Sequence, residues 1–255
     1  MSRPAPTLVA PGVHRLGDHA VNFYLVEHPD GLVLIDAGLP AHLDQLRGLL
    51  TDLGRSLADV RAVLLTHGHL DHTGLAHPLK EAGADVWIHD RDAVILRDGP
   101  RSAMRHAKPE RSMVPYLLRR PAALAVPLQM ARAGAFTAPA VQGARVFHAD
   151  QVLDDVPGAP QAVVLPGHTL GSAAYLFADR GLVFTGDALV TADGLVGRTG
   201  PTIVSRCFTQ DSRAALAALD RLDELPADVL LPGHGEPFTD GIRAATRQAR
   251  EFGVH

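Results

Sequence analysis

The sequence predicts a layered α/β protein, and three features carry that prediction. Short apolar runs bounded by glycine and proline recur from end to end and read as buried strands. Segments with leucines at helical spacing stand between them. Strands and helices in alternation are the order of an α/β architecture. The 255 residues suffice for a substantial core, and residues 1–255 are expected to form a single domain.

Residues 7–36 alternate apolar runs with turn signals: Leu8-Val9, Pro11-Gly12, Val21 to Val26, then Pro29-Asp30-Gly31 before Leu32-Val33-Leu34-Ile35. The Pro-Asp-Gly triplet is a hairpin-type turn, so this region reads as an antiparallel meander ending at Asp36-Ala37-Gly38. Leu43, Leu46, Leu49, Leu50 and Leu53 then recur at helical spacing, and Gly54 closes the helix. A strand over 62–65, a short helix from about Leu75 to Ala82 and a strand at Val86-Trp87-Ile88 follow.

Residues 90–143 break the pattern. Arginines, apolar residues and prolines mix without strand alternation, which predicts short helices broken at Pro109, Pro115, Pro121 and Pro127. Such a helical insertion is a candidate lid or pocket wall, or else a cap on a core edge or a dimer contact. After Ala144 the strand pattern returns at Val146-Phe147, Val152-Leu153, Val163-Val164-Leu165, Ala173 to Phe177 and Leu182-Val183-Phe184. Ala214 to Leu225 reads as an amphipathic helix with Leu216, Leu219, Leu222 and Leu225 on one stripe. Val229-Leu230-Leu231 is a last buried strand, and 240–252 a closing helix.

Composition narrows the function classes. Hydrophobic residues at 46% and charged residues at 20% describe an ordinary globular protein, and a net charge of −4 gives no electrostatic footprint for nucleic acid. The single cysteine, Cys207, excludes an internal disulfide and fits a reducing compartment. Met1 to Pro6 lacks the apolar core of a signal peptide, and no apolar run approaches the roughly 18 residues of a membrane span. The expected location is cytoplasmic, with no membrane partner.

The chemistry concentrates in Thr66-His67-Gly68-His69-Leu70-Asp71-His72, directly after Val63-Leu64-Leu65. Neutral imidazole and carboxylate are ligands that Zn, Fe and Mn accept. Three further motifs stand at strand ends: Pro166-Gly167-His168-Thr169, Thr185-Gly186-Asp187 and Pro232-Gly233-His234-Gly235. In each an apolar strand stops, a glycine opens the turn and one metal-type side chain is presented.

These residues resemble the metallo-beta-lactamase-fold hydrolase superfamily, over nearly the whole chain and in family order. The resemblance implies a four-layer αβ/βα sandwich with two divalent metal ions in a cleft at one edge, Zn being expected and Fe or Mn the alternatives. It implies one ion held by His67, His69 and His168, a second by Asp71, His72 and His234, and Asp187 bridging them. Asp36 matches a position that orients the His cluster without binding metal. Two cations about 3.5–4 Å apart lower the pKa of a shared water towards 7 and polarise a carbonyl or phosphoryl oxygen. Asp71 is the candidate catalytic carboxylate, taking up the proton of the nucleophile or handing it to the leaving group.

The implied reaction is hydrolysis of an ester, lactone, thioester or amide carbonyl in a small, partly apolar substrate. Alternatives are a mononuclear iron enzyme similar to sulfur dioxygenases, or a phosphodiesterase of the same fold. Cys207 lies outside every ligand motif, unlike the beta-lactamase branch that uses a Cys ligand. Val190 stands where acyl-homoserine lactonases of similar pattern carry Tyr. Little chain follows His234, where thioesterases resembling glyoxalase II usually carry a glutathione-binding region. Tyr116, Arg119, Arg120 and His106 are the insertion residues that could meet a substrate. The other histidines, 14, 19, 28, 42, 77, 89, 148 and 255, read as surface or supporting residues. A homo-oligomer is compatible with all of this.

Overall fold

The computed structural model describes residues 4–255. Four antiparallel strands open the chain: β1 (Thr7–Ala10), β2 (Val13–Gly17), β3 (Asn22–His28) and β4 (Gly31–Ile35). Helix α1 (Leu43–Asp52) leads to β5 (Val60–Leu64), and the short α2 (Ala76–Glu81) to β6 (Asp85–His89). The insertion holds α3 (Asp90–Asp98), α4 (Ala103–His106), α5 (Val114–Arg119) and α6 (Ala125–Arg132). Strand β7 (Arg145–Phe147) closes a seven-stranded sheet in the order β1 to β7, parallel from β4 onwards.

The second sheet collects β8 (Gln151–Val152), β9 (Gln161–Val164), β10 (Ala173–Phe177), β11 (Leu182–Gly186) and β14 (Val229–Pro232) in the order β14-β11-β10-β9-β8. Between its last two members lie the hairpin β12 (Val190–Asp193) and β13 (Arg198–Thr202) and helix α7 (Ser212–Asp223); α8 (Ile242–Phe252) ends the chain.

Three apolar clusters make the four layers. The inner faces of the two sheets meet in one core, with Tyr24, Ile35, Leu64 and Phe147 from the first and Tyr175, Phe177, Phe184 and Leu231 from the second. Helices α1 and α2 cover the outer face of the first sheet through Leu46, Leu50, Ala76 and Leu79. Helices α7 and α8 cover the second through Leu219, Leu222, Ala245 and Ala249. Strands β3 to β6, β10 and β11 alternate their apolar residues between these cores, as a sheet buried on both faces requires. Two buried tyrosines tie the sheets reciprocally: Tyr24 donates to the Pro232 carbonyl at 2.7 Å and Tyr175 to the Leu65 carbonyl at 2.8 Å.

The expected elements are present, with three corrections. Pro115, Pro121 and Pro127 start helices rather than break them, whereas Pro109 lies, as expected, in the break between α4 and α5. Pro115 is the second residue of α5, Pro121 opens a 3-10 turn over Pro121–Leu124 and Pro127 is the third residue of α6. In the first helical turn the missing N–H of proline would be unpaired anyway. The buried stripe of α7 is Ala215, Ala218, Leu219 and Leu222, with Leu216 and Leu225 only partly covered. The β12–β13 hairpin is an addition, in a glycine- and proline-bearing stretch for which the sequence predicts no element.

Candidate metal centre

Topology brings the chemistry to one edge. Strands β4 and β5 run parallel, so Asp36 and the loop 66–72 leave the first sheet on the same side. In the second sheet β9 and β11 both run antiparallel to β10, and β14 runs parallel to β11. The chain therefore leaves β9, β11 and β14 on one side, presenting His168, Asp187 and His234. Carboxyl ends of strands are where open α/β sheets place their ligands.

The seven expected ligands converge. His67, His69 and His168 form one group, His67, His72 and Asp187 a second, and Asp71, His72 and His234 a third, each with its ligand atoms within 4.8 Å of one another. Asp187 sits between them: its Oδ2 lies 3.0 Å from His234 Nε2, 3.4 Å from His168 Nε2 and 4.0 Å from His67 Nε2, and its Oδ1 lies 3.5 Å from His72 Nε2. Asp71 Oδ2 is 3.6 Å from both His72 Nε2 and His234 Nε2. His69 Nδ1 faces His168 Nε2 at 2.8 Å.

Groups behind the ligands fix which nitrogen is presented. Asp36 accepts from His72 Nδ1 at 2.8 Å, from the Thr66 backbone N–H at 2.8 Å and from the Thr66 hydroxyl at 2.9 Å. It does so in a left-handed conformation, φ 58°, which Asp tolerates better than most residues. His234 donates through Nδ1 to the Ala20 carbonyl. Thr66 Oγ1 lies 3.0 Å from His67 Nδ1. With Nδ1 engaged, Nε2 is the lone-pair nitrogen that faces the cluster in His67, His72 and His234. Asn22 holds the last loop by donating to the carbonyls of Pro232 and Gly235. Gly233 is required here, since a Cβ would stand 2.3 Å from Asp187 Oδ1 and 2.7 Å from His72 Cε1.

Two observations show that cations fit. His67 Nε2, His72 Nε2 and Asp187 Oδ1 are buried, with no hydrogen-bond partner among the described residues, an arrangement that costs free energy unless a ligand satisfies them. Charge gives the same answer. Burial, with the imidazoles of His72 and His168, holds His67 well below the ordinary histidine value. Burial also lowers His69, and lowers His168 against the pull of Asp187. These three are neutral imidazoles, the form that binds metal. Burial opposes charge on His72 and His234, yet the carboxylates of Asp187, Asp36 and Asp71 raise His72 to about 10, and Asp187 raises His234 to about 9. Burial would raise Asp187, but His234 and His72 carry it well below the carboxylate range. Positive charge is what this cluster demands, as protons or as cations.

The chain matches the family model described as "Metallo-beta-lactamase superfamily" over residues 16–234. The chain belongs to the metallo-beta-lactamase superfamily. Among its relatives is the "Probable metallo-hydrolase YflN" of Bacillus subtilis, 29% identical over 245 residues, covering 90% of this chain and 86% of that protein. The hydroxyacylglutathione hydrolase GloC of Haemophilus influenzae is 26% identical over 189 residues, 72% of each chain. Of solved structures, the metallo-beta-lactamase family protein TTHA1429 from Thermus thermophilus superposes with a TM-score of 0.68 at 25% identity, over 94% of this chain and 79% of that one. TTHA1623 in a di-iron-bound form superposes at 0.61 with 30% identity, over 91% and 96%. The superfamily consists mostly of metal-dependent hydrolases, and the expected fold is thereby established. No helix among the described residues is long and apolar enough to cross a membrane.

The residues singled out in the insertion do not join the cluster. Tyr116 is buried against Leu195 and Cys207, the Arg120 guanidinium lies over Gly197, and Arg119 is exposed. His106 pairs with Arg105 and Asp98 of its own segment. Cys207 is buried, and burial pushes its thiol up to about 11. Two supporting histidines prove more buried than expected: His42 stacks on Phe23, and His89 caps α3 by accepting from the Arg91 N–H. Residues missed in the sequence are Ala20, Asn22, Thr66 and Asp92, which act through hydrogen bonds to distant segments. Thr66 alone carried a signal, as the immediate neighbour of His67.

Proposed function

We propose that this chain is a dinuclear metal-dependent hydrolase cleaving an ester, lactone, thioester or amide carbonyl of a small, partly apolar molecule. The observation that carries the reading is the meeting of three ligand groups around Asp187. His67, His69 and His168 would hold one divalent ion and Asp71, His72 and His234 the other, with the Asp187 carboxylate available to both. Zn is the expected ion, and the di-iron-bound relative supports Fe as the alternative, since His/Asp sites take several divalent metals. When bound, the pair acidifies a water and polarises the carbonyl to be attacked.

The chain's own groups supply the rest. His67, His72 and His168 are almost wholly buried, so the reacting centre sits in a low-dielectric wall that strengthens every charge interaction. Asp71 is slightly more open, and its Oδ2 lies 3.6 Å from His72 Nε2 and His234 Nε2, which makes it the carboxylate at the cluster that would take up the proton of the nucleophile. It returns that proton to the leaving group. The insertion is the pocket wall. Leu70, in the ligand loop, joins Met130 and Ala133 of the α6 region in an apolar cluster with Val21, Leu39 and Ala135. Thioesters are the first class to try, because a relative is a hydroxyacylglutathione hydrolase.

The test is a panel of thioesters, esters, lactones, amides and phosphodiesters assayed on protein reconstituted with Zn²⁺, Mn²⁺ or Fe²⁺. Hydrolysis of a carbonyl substrate, abolished by Asp187→Ala, is expected. Metal-replete protein inert towards every carbonyl class, or consuming oxygen with a persulfide instead, would overturn the reading.

A further inference from the structure

The first ligand group is drawn from two loops that belong to different sheets: His67 and His69 follow β5, and His168 follows β9. At the base of the loops the Ala173 N–H donates to the Thr66 carbonyl at 2.8 Å. At their tips a third element intervenes. Asp92, in the first turn of α3, is only 1% exposed and belongs to none of the ligand groups. Its Oδ2 accepts from the Gly68 N–H at 2.8 Å, between His67 and His69, and from the Thr169 hydroxyl at 2.7 Å, next to His168. Its Oδ1 accepts from the Gly171 N–H at 3.0 Å.

No cationic side chain pairs with Asp92 among the described residues, so three hydrogen bonds alone offset the desolvation of its carboxyl group. The donors are committed. Ser172 Oγ accepts from the Thr169 N–H at 2.9 Å and lies 2.9 Å from Thr169 Oγ1, so Thr169 spends its own proton on Asp92 and receives that of Ser172. Gly171 permits the approach, since a Cβ there would stand 2.6 Å from Asp92 Cγ. A carboxylate can accept all three bonds at once, whereas an amide must turn its NH₂ towards one of the donors.

We propose that Asp92 is a positioning residue that clamps the two loops together and thereby sets the spacing of His67, His69 and His168, on which the affinity of the first metal group depends. The inference rests on the metal-centre reading above. The second group has other supports, Asp36 behind His72 and Ala20 behind His234, so the effect of Asp92 is confined to one group.

The experiment titrates metal-free protein with Zn²⁺ against a chromophoric chelator and follows Co²⁺ uptake by its visible absorption. His168→Ala and His234→Ala assign the two binding steps. Asp92→Asn should weaken the first-group step about 10- to 100-fold, the usual effect of losing a hydrogen-bond partner behind a ligand, and leave the other step unchanged. Thr169→Val, which removes one of the three bonds at constant volume, should weaken the same step less, and Thr169→Ser should restore it. Circular dichroism confirms folding; should Asp92→Asn fail to fold, the Thr169 pair decides. Equal weakening of both steps, or wild-type affinity in Asp92→Asn and Thr169→Val, overturns the proposal. Wild-type protein that takes up no metal overturns the metal-centre reading instead.

Discussion

Asp18 shows how a single side chain couples the insertion to the site. Its Oδ2 accepts from Gln129 of α6 at 3.0 Å and lies 3.4 Å from His42 Nε2. Because the Leu39 N–H donates to His42 Nδ1, the ring proton is on Nε2, the nitrogen on the Asp18 side. Oδ1 accepts from the N–H of Ala20, the residue whose carbonyl holds His234. Burial would raise the Asp18 carboxyl, but the neighbouring His42 ring and the hydrogen bonds from the Ala20 N–H and the Gln129 amide outweigh it and lower it to about 2 from 3.8. A carboxylate depressed in the folded state stabilises above its unfolded value and loses that contribution as the pH falls through the folded value. Asp18→Asn should therefore cost about 1 kcal/mol at pH 6, discounted for partial exposure. Urea midpoints should show the gap to wild type closing between about pH 4 and pH 2. A gap independent of pH would contradict the assignment.

At the scale of elements, legibility follows burial. Runs such as Leu32 to Ile35 and Leu182 to Phe184 are buried on both faces, so composition alone marks them as strands. Arg198–Thr202 carries Gly200 and Pro201 and pairs only with β12, so its strand character comes from tertiary pairing rather than from sequence pattern. The α7 stripe departs from the leucine pattern because alanine reports helix but not facing; Ala218 packs on the second sheet and Ala215 lies against Gly167. In the insertion, α6 turns Met130 towards the cluster that includes Leu70. Met130→Ala should alter the ratio of kcat/KM between long and short acyl substrates by about tenfold, in the range expected for reshaping an apolar pocket, with metal content unchanged. An unaltered chain-length profile would remove α6 from the pocket wall.

Across the whole molecule, each sheet contributes ligand loops to one shared edge, and a core of aromatic and aliphatic side chains fixes the two sheets against each other. The convergence of the candidate ligands is legible because imidazole and carboxylate after a Gly turn are chemically conspicuous wherever they stand. Of the groups behind them only Asp36 and Thr66 carried a signal, because Asn22 reaches Gly235 and Asp92 reaches Thr169 across 213 and 77 positions, and nothing local marks such partners. The central claim is that seven side chains from both halves hold two cations. Zn²⁺ titration of metal-free protein by calorimetry measures it directly: wild type should bind two equivalents, and His168→Ala and His234→Ala one each. A wild-type stoichiometry of zero or one, or variants indistinguishable from wild type, would contradict it.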